Sequence, residues 1–297
     1  MLTRVTTQMS MAAAQQRLQT GAARLAQLQD QASSLKNITV PSDDPSGTGK
    51  SITVRSAQAQ NAQYSRNADD GAGWLATTDS ALASVYSVMN KVRDLTVQGS
   101  NSGTMNDTDR NAIVTELQGL KQDLLQDANT QYGGRAVFAG NTDASAAYGS
   151  DFTYNGSTDG TDVGVQRRIA SGTTVRVDTD GSAVFGTGSD SVFSLIDDIS
   201  SDLQSGADVS ARISQVDSRI AAVRGVQGDV GTRHSSVIAA QSTLASRSTD
   251  LEGQRSQIED KDVAKAILDL QLQQTNYQAA LAVTAKTLQP TLMDYLS

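Results

Sequence analysis

The chain has 297 residues, a net charge of −8, one histidine (His234) and no cysteine. Without cysteine there is no disulfide, thiolate zinc site or cysteine nucleophile, and the acidic balance argues against nucleic acid or an anionic membrane as the main partner. Aromatic residues are only 4 % of the chain, and large side chains are what usually offset chain entropy in a compact core. The composition therefore predicts long helices with small-residue seams, many of them completed only by neighbouring molecules.

Residues 4–36 read as a helix with a coiled-coil seam. Met11, Leu18, Leu25 and Ala32 recur every seventh residue, and Ala14, Gly21, Leu28 and Leu35 fill the alternate position. "NITV" and Pro41 end this helix, because the residue before a proline is pushed away from helical geometry. The stretch "VPSDDPSGTGKS" closes like a phosphate-binding loop at Gly49, Lys50 and Ser51. The glycine that such a loop needs at its start is here Asp44, and Pro45 has no N–H to offer. Asp43 and Asp44 instead suit the cap of a second helix reaching about residue 99, with Pro45 in its first turn.

Within that second helix Leu82, Val85, Met89 and Val92 share a face, "NADDG" at 67–71 predicts an irregularity or bend, and Trp74 and Leu75 are expected as core anchors. "GSNSGTMN" breaks the pattern. Asn106 and Asp109 then predict the cap and first-turn charge of a third helix, whose stripe is Ile113, Leu117, Leu120 and Leu124.

From 133 to 190 the runs "RAVFAG", "DFTYNG", "TTVRVDTDG" and "SAVFG" alternate with turn residues and predict a small inserted antiparallel β domain. "DTDG" (178–181) and "STDGTD" (157–162) gather carboxylates without the spacing or closing glutamate of a calcium loop, and read as hairpin turns.

Val209, Val216, Val223, Val230, Val237, Leu244, Leu251 and Ile258 then recur every seventh residue. Unbroken, that run would extend about 75 Å. Its partner positions begin apolar at Ile213 and Ile220 and turn polar at Gln227, His234, Gln241 and Ser248, while Gly225, Gly228 and Gly231 predict a bend or break. In the last helix Val263, Leu270 and Tyr277 alternate with Ile267, Leu281 and Leu288, and Pro290 ends it. His234 has no second histidine and no serine elbow beside it, so it reads as a packing or interface residue.

The expected fold class is mainly α, a long antiparallel helical rod or coiled coil with a small inserted antiparallel β domain. No catalytic, metal or cofactor-binding site is expected, and no cofactor. The residues expected to matter are the seam positions Met11, Leu18, Leu25, Leu28, Val263, Ile267, Leu270, Tyr277, Leu281 and Leu288. Both chain ends are expected to be poorly ordered in the monomer and to fold on assembly. The start of the chain has no sustained apolar core of the kind found in a cleavable secretory signal.

"RLAQLQDQASSLKNITVPSDDPSG", "NADDGAGWLATTDSALASVYSVMNKVRDLTVQGSNSG", "YGGRAVFAGN" with "YNGS" and "GSAVFG", and the C-terminal "LQLQQTNYQAALAVTAKTLQPTLMDYL" together resemble the flagellin superfamily. Within it they are most similar to the hook-associated junction proteins of type three. There are departures: Leu35 stands where the family commonly has glycine, and "SGTGKS" replaces a more alanine-rich continuation. The resemblance implies a non-enzymatic subunit exported through the flagellar type III apparatus and assembled as a ring between hook and filament. Its implied partners are further copies of itself, a neighbouring hook-associated protein, flagellin and an export chaperone, with no nucleic acid and no membrane. It also implies a terminal shaft (1–39 with 258–297), a helical rod domain (40–132 with 192–257) and a β-rich outer domain (133–191). A flagellin filament subunit, or a secreted coiled-coil adhesin or regulator, are the alternatives.

Overall fold

The computed structural model describes residues 2–101, 105–142, 144–157 and 164–288, with side chains at residues 9 and 11–286 of those ranges. The seven helices among the described residues are α1 (Leu2–Ser34), α2 (Pro45–Ser100), α3 (Asp107–Ala128), α4 (Gly181–Phe185), α5 (Val192–Ser205), α6 (Ser210–Glu259) and α7 (Val263–Leu288). Two short antiparallel hairpins accompany them: β1 (Gln131–Tyr132) with β2 (Arg135–Ala136), and β3 (Gln166–Ala170) with β4 (Thr173–Arg176). The chain divides into two compact units, Met1–Gln60 with Ser248–Ser297, and Asn61–Arg247.

In the first unit α1 lies against α7. The run of Ala, Gln and Leu in α1 favours helix at nearly every position, and the helix stops where Leu35 takes a left-handed backbone conformation, φ +55°. Leu35 is thus out of the helix and 44 % exposed, so it does not continue the seam in which its spacing places it. A bulky side chain in this conformation costs roughly 1–2 kcal/mol. Leu35→Asn is expected to raise stability by about 1 kcal/mol, because asparagine tolerates the left-handed region and, unlike glycine, adds less freedom to the unfolded chain. Urea denaturation followed at α1 checks it.

The "PSDDP" turn assigns one role to each aspartate. The Asp43 carboxylate accepts the backbone N–H groups of Thr39 and Val40, both at 3.0 Å, and the Thr39 hydroxyl at 2.7 Å. Asp44 caps α2 by accepting the Gly47 N–H at 2.8 Å, and Pro45 is the first helical residue. Gly49, Lys50 and Ser51 lie inside α2, so their backbone N–H groups are committed to a helix and make no phosphate cradle.

In the second unit the seven-residue repeat is buried at Val209, just before α6, and along α6 at Val216, Val223, Val230, Val237 and Leu244. Its polar partner positions reach α2 instead: Gln227 donates to Asp79 at 3.1 Å and Gln241 to Asp69 at 2.7 Å. Helix α6 runs through Gly225, Gly228 and Gly231 without the expected break. Each exposed helical glycine costs about 0.5–1 kcal/mol, which does not outweigh a buried valine every second turn. Helix α2 likewise continues through "NADDG". There Gly71 and Gly73 make room for side chains: a Cβ at Gly71 would stand 3.3 Å from Val177, and one at Gly73 only 2.5 Å from the Tyr132 hydroxyl.

Trp74 and Leu75 are core residues, and the Trp74 ring lies 5.7 Å from that of Tyr132. Asn106 caps α3 through the Asp109 N–H as expected, and Ile113, Leu117, Leu120 and Leu124 are buried. Helix α3 packs on α5, with Lys121 paired to Asp197 at 2.6 Å and set 3.8 Å over the Phe152 ring.

The insert contains less strand than its sequence suggests. Of "RAVFAG" only Arg135–Ala136 forms a strand, with Ala139 in a single bridge to Asp180, and "DFTYNG" contributes a single bridge between Tyr154 and Tyr148. "SAVFG" forms α4 rather than a strand: Asp180 caps it by accepting the Ser182 N–H at 2.8 Å, and Val184 and Phe185 reach the core. "DTDG" is therefore a helix start and not a hairpin turn. Its Asp178, fully buried, accepts the Val165 N–H at 2.7 Å and pairs with Arg176 at 2.8 Å. Phe138, Tyr148, Phe185 and Phe193 close this core edge to face. Pro290, residues 158–162 of "STDGTD" and residues 102–104 of "GSNSGTMN" lie outside the described residues.

Candidate functional site

Among the described residues no three His, Cys, Asp or Glu side chains are grouped to hold a metal ion, and no helix is long and apolar enough to cross a membrane. His234 is half-buried on α6. The informative surfaces are on the first unit.

The seam between α1 and α7 uses Ala14, Leu18, Gly21, Leu25, Leu28 and Ala32 on α1, all at least half-buried, while Met11 is exposed. On α7 the inward series is Ala266, Leu270, Gln273, Tyr277, Ala280 and Thr284, spaced alternately by four and three. Leu270 and Tyr277 thus face α1, whereas Val263, Ile267 and Leu281 are turned outward and 43–48 % exposed. Leu288 lies outside the residues whose side chains are described. Gly21 lets the ring of Tyr277 approach, since a Cβ there would stand 3.2 Å from it, and Gln273 donates to the Gly21 carbonyl at 3.2 Å.

The hairpin therefore takes up one stripe of α7 and leaves another. Leu268 and Leu272, 65 % and 62 % exposed, fall on a repeat with Ala279 and Val283, and Val283 is exposed too. The heptad of Val263, Leu270 and Tyr277 omits these positions, because α7 is apolar on two faces. The i, i+4, i+11, i+15 spacing of 268, 272, 279 and 283 was the available signal.

At the base of the hairpin α1 turns into α2 and α6 into α7. Glu259, the last residue of α6, is buried with its side chain 5 % exposed. It accepts from Arg55 at 2.6 and 2.7 Å, from Arg255 at 3.2 Å and from the Ser51 hydroxyl. Asp260 accepts from Lys36 at 2.6 Å and from Arg255. Arg55 foremost holds the Glu259 carboxyl down to about 2, and Lys36 does the same for Asp260, also to about 2. Both folded values lie below the ordinary carboxylate range. The ion pairs thus stabilise the fold fully above about pH 4.5, the ordinary glutamate value, and that contribution is lost as pH falls from there toward 2. A carbon-detected titration of Glu259 is expected to give a midpoint near 2, and a midpoint near 4.5 would show the cluster open in solution.

Comparison with known proteins follows the same two ends of the chain. Residues 5–143 match the bacterial flagellin N-terminal helical region, and residues 213–296 match the bacterial flagellin C-terminal helical region. The chain belongs to the flagellin family. That family is structural and flagellar, not a family of enzymes. Flagellar hook-associated protein 3 of Escherichia coli (strain K12) is 32 % identical over 200 residues, covering 66 % of this chain and 58 % of that protein. This flagellin-family chain thus aligns with less than two thirds of that relative's length. The flagellar filament 31.3 kDa core protein of Treponema maltophilum is 27 % identical over 281 residues, 90 % of each chain. The crystal structure of Bacillus cereus FlgL superposes with a TM-score of 0.59 at 20 % identity, covering 69 % of this chain and 99 % of that one. It shows the shared fold.

Proposed function

We propose that this flagellin-family chain is the structural adaptor between hook and filament. It assembles as a ring, meeting a hook-associated protein on one side and flagellin on the other. The observation that carries this reading is the second apolar stripe of α7, Leu268, Leu272 and Val283, which the α1–α7 hairpin leaves exposed. Such a stripe has its use when further copies pack against it. The similarity to hook-associated protein 3 supports the junction position.

In this reading 1–39 with 258–297 form the inner shaft, 40–132 with 192–257 the rod domain, and 133–191 the outer domain. Met11, Leu18, Leu25, Leu28, Leu270 and Tyr277 form the hairpin and its continuation, and Val263, Ile267, Leu281 and Leu288 meet neighbours. The weakly apolar ends suit passage unfolded through the type III export apparatus, guarded by an export chaperone.

Deletion of the gene tests the position. Cells that build hooks and shed flagellin into the medium support the junction role, and normally attached filaments reject it. The 90 % mutual coverage with a filament core protein favours one second reading, a filament subunit. Self-polymerisation of the purified chain into long filaments would support it.

A further inference from the structure

Two connections run side by side at the base of the α1–α7 hairpin, residues 35–44 and residues 260–262, more than two hundred positions apart in sequence. Their backbones are joined. The Asn37 N–H donates to the Glu259 carbonyl at 2.6 Å, the Lys261 N–H donates to the Leu35 carbonyl at 3.0 Å, and Lys36 and Asp260 form an antiparallel bridge. Two hydrogen bonds between irregular segments are weak by themselves, since each contributes about 1 kcal/mol net.

The Glu259 side chain adds to them from beneath. Its carboxylate holds Arg55 and Ser51 of α2, and Lys36 of the first connection stands 3.8 Å away. One residue thus holds the first connection by its carbonyl and the helix that follows it by its carboxylate. Arg255, one turn earlier on α6, ties Glu259 to Asp260 of the second connection.

We propose that Glu259 is the hub of a latch that fastens both connections at one point, so that they open together as a single hinge of the hairpin. Released separately, each connection would be a flexible tether and the hairpin would be free at one strand before the other. Held through a common carboxylate, neither loosens alone. The strained Leu35 at the first connection favours the open side of that balance, and the latch opposes it. This inference does not depend on where in the flagellum the protein sits.

Amide hydrogen exchange on the full chain at neutral pH tests the latch. In the parent the Asn37 and Lys261 amides are expected to exchange at a common opening rate, and in Glu259→Gln both are expected to exchange about tenfold faster or more, while amides of α6 around Val237 stay as protected as in the parent. Arg55→Ala supplies the second arm, because the Arg55 side chain is 63 % exposed and Arg255 still pairs with Glu259 when it is removed. It lies on α2, yet it is expected to speed exchange at Lys261 as well as at Asn37. Faster exchange confined to 35–44 in Arg55→Ala, unequal opening rates at the two amides in the parent, or unchanged exchange at either amide in Glu259→Gln would overturn the proposal.

Discussion

Phe193→Ala is expected to destabilise the second unit by about 3–5 kcal/mol, the range for truncating a fully buried phenylalanine. The ring is 1 % exposed and stands 5.2 Å from Tyr148, 5.0 Å from Phe152 and 6.1 Å from Phe185, centroid to centroid. It is the common neighbour through which the insert's aromatic side chains pack on α5. Its loss opens a cavity that rings on a short hairpin and a five-residue helix cannot all move to fill. Tyr148 adds to the cost, because its hydroxyl lies 2.8 Å from the Gly186 carbonyl and 3.1 Å from that of Gly181, which fixes its ring. Against a typical domain stability of about 5–15 kcal/mol, that loss is a large fraction. Urea unfolding followed by circular dichroism measures it, and a loss below about 1 kcal/mol would show that the cluster is not the insert's anchor.

Leu272→Asp is expected to abolish assembly while leaving the monomer intact. With the side chain 62 % exposed in the single chain, the substitution should change monomer stability by no more than about 0.5 kcal/mol. In a packed interface the same carboxylate would be desolvated without a partner, at a cost of several kcal/mol per contact. A repeating structure multiplies that cost by its subunits. The measurement pairs circular dichroism of the purified variant with its incorporation into flagella of a deletion strain. Normal incorporation would show that the outward stripe of α7 is not an interface.

The long helices were legible because one physical signal dominates them. The apolar residue recurring every seventh position into and along α6 is buried from Val209 to Leu244, and the caps Asp44 and Asn106 stand where a short acceptor side chain precedes a helical run. The insert was legible in position but not in detail. "SAVFG" has the residue types of a strand, yet the Asp180 cap and the burial of Val184 and Phe185 make it a helix, and the rings that Phe185 packs on, Phe138 and Tyr148, are distant in sequence. The same reason hid Gly71 and Gly73, whose role is set by Val177 on the insert and Tyr132 on β1. On α7 two apolar stripes overlap within a few residues, so spacing alone fits both, and only the position of Gly21 opposite Tyr277 selects the inward one. Only the Arg255–Glu259–Asp260 part of the Glu259 cluster is local in sequence, and its other partners, Lys36, Ser51 and Arg55, come from the far end of the chain.

The placement of Trp74 has a practical corollary for anyone following this protein in solution. It is the chain's single tryptophan, sealed in the second unit beside Tyr132 and flanked by Arg135 and Arg167. Its emission therefore reports the packing of the second unit around Tyr132. A fluorescence trace that stays flat while subunits assemble would be the expected signature of a body that keeps its interior and reorganises only its ends.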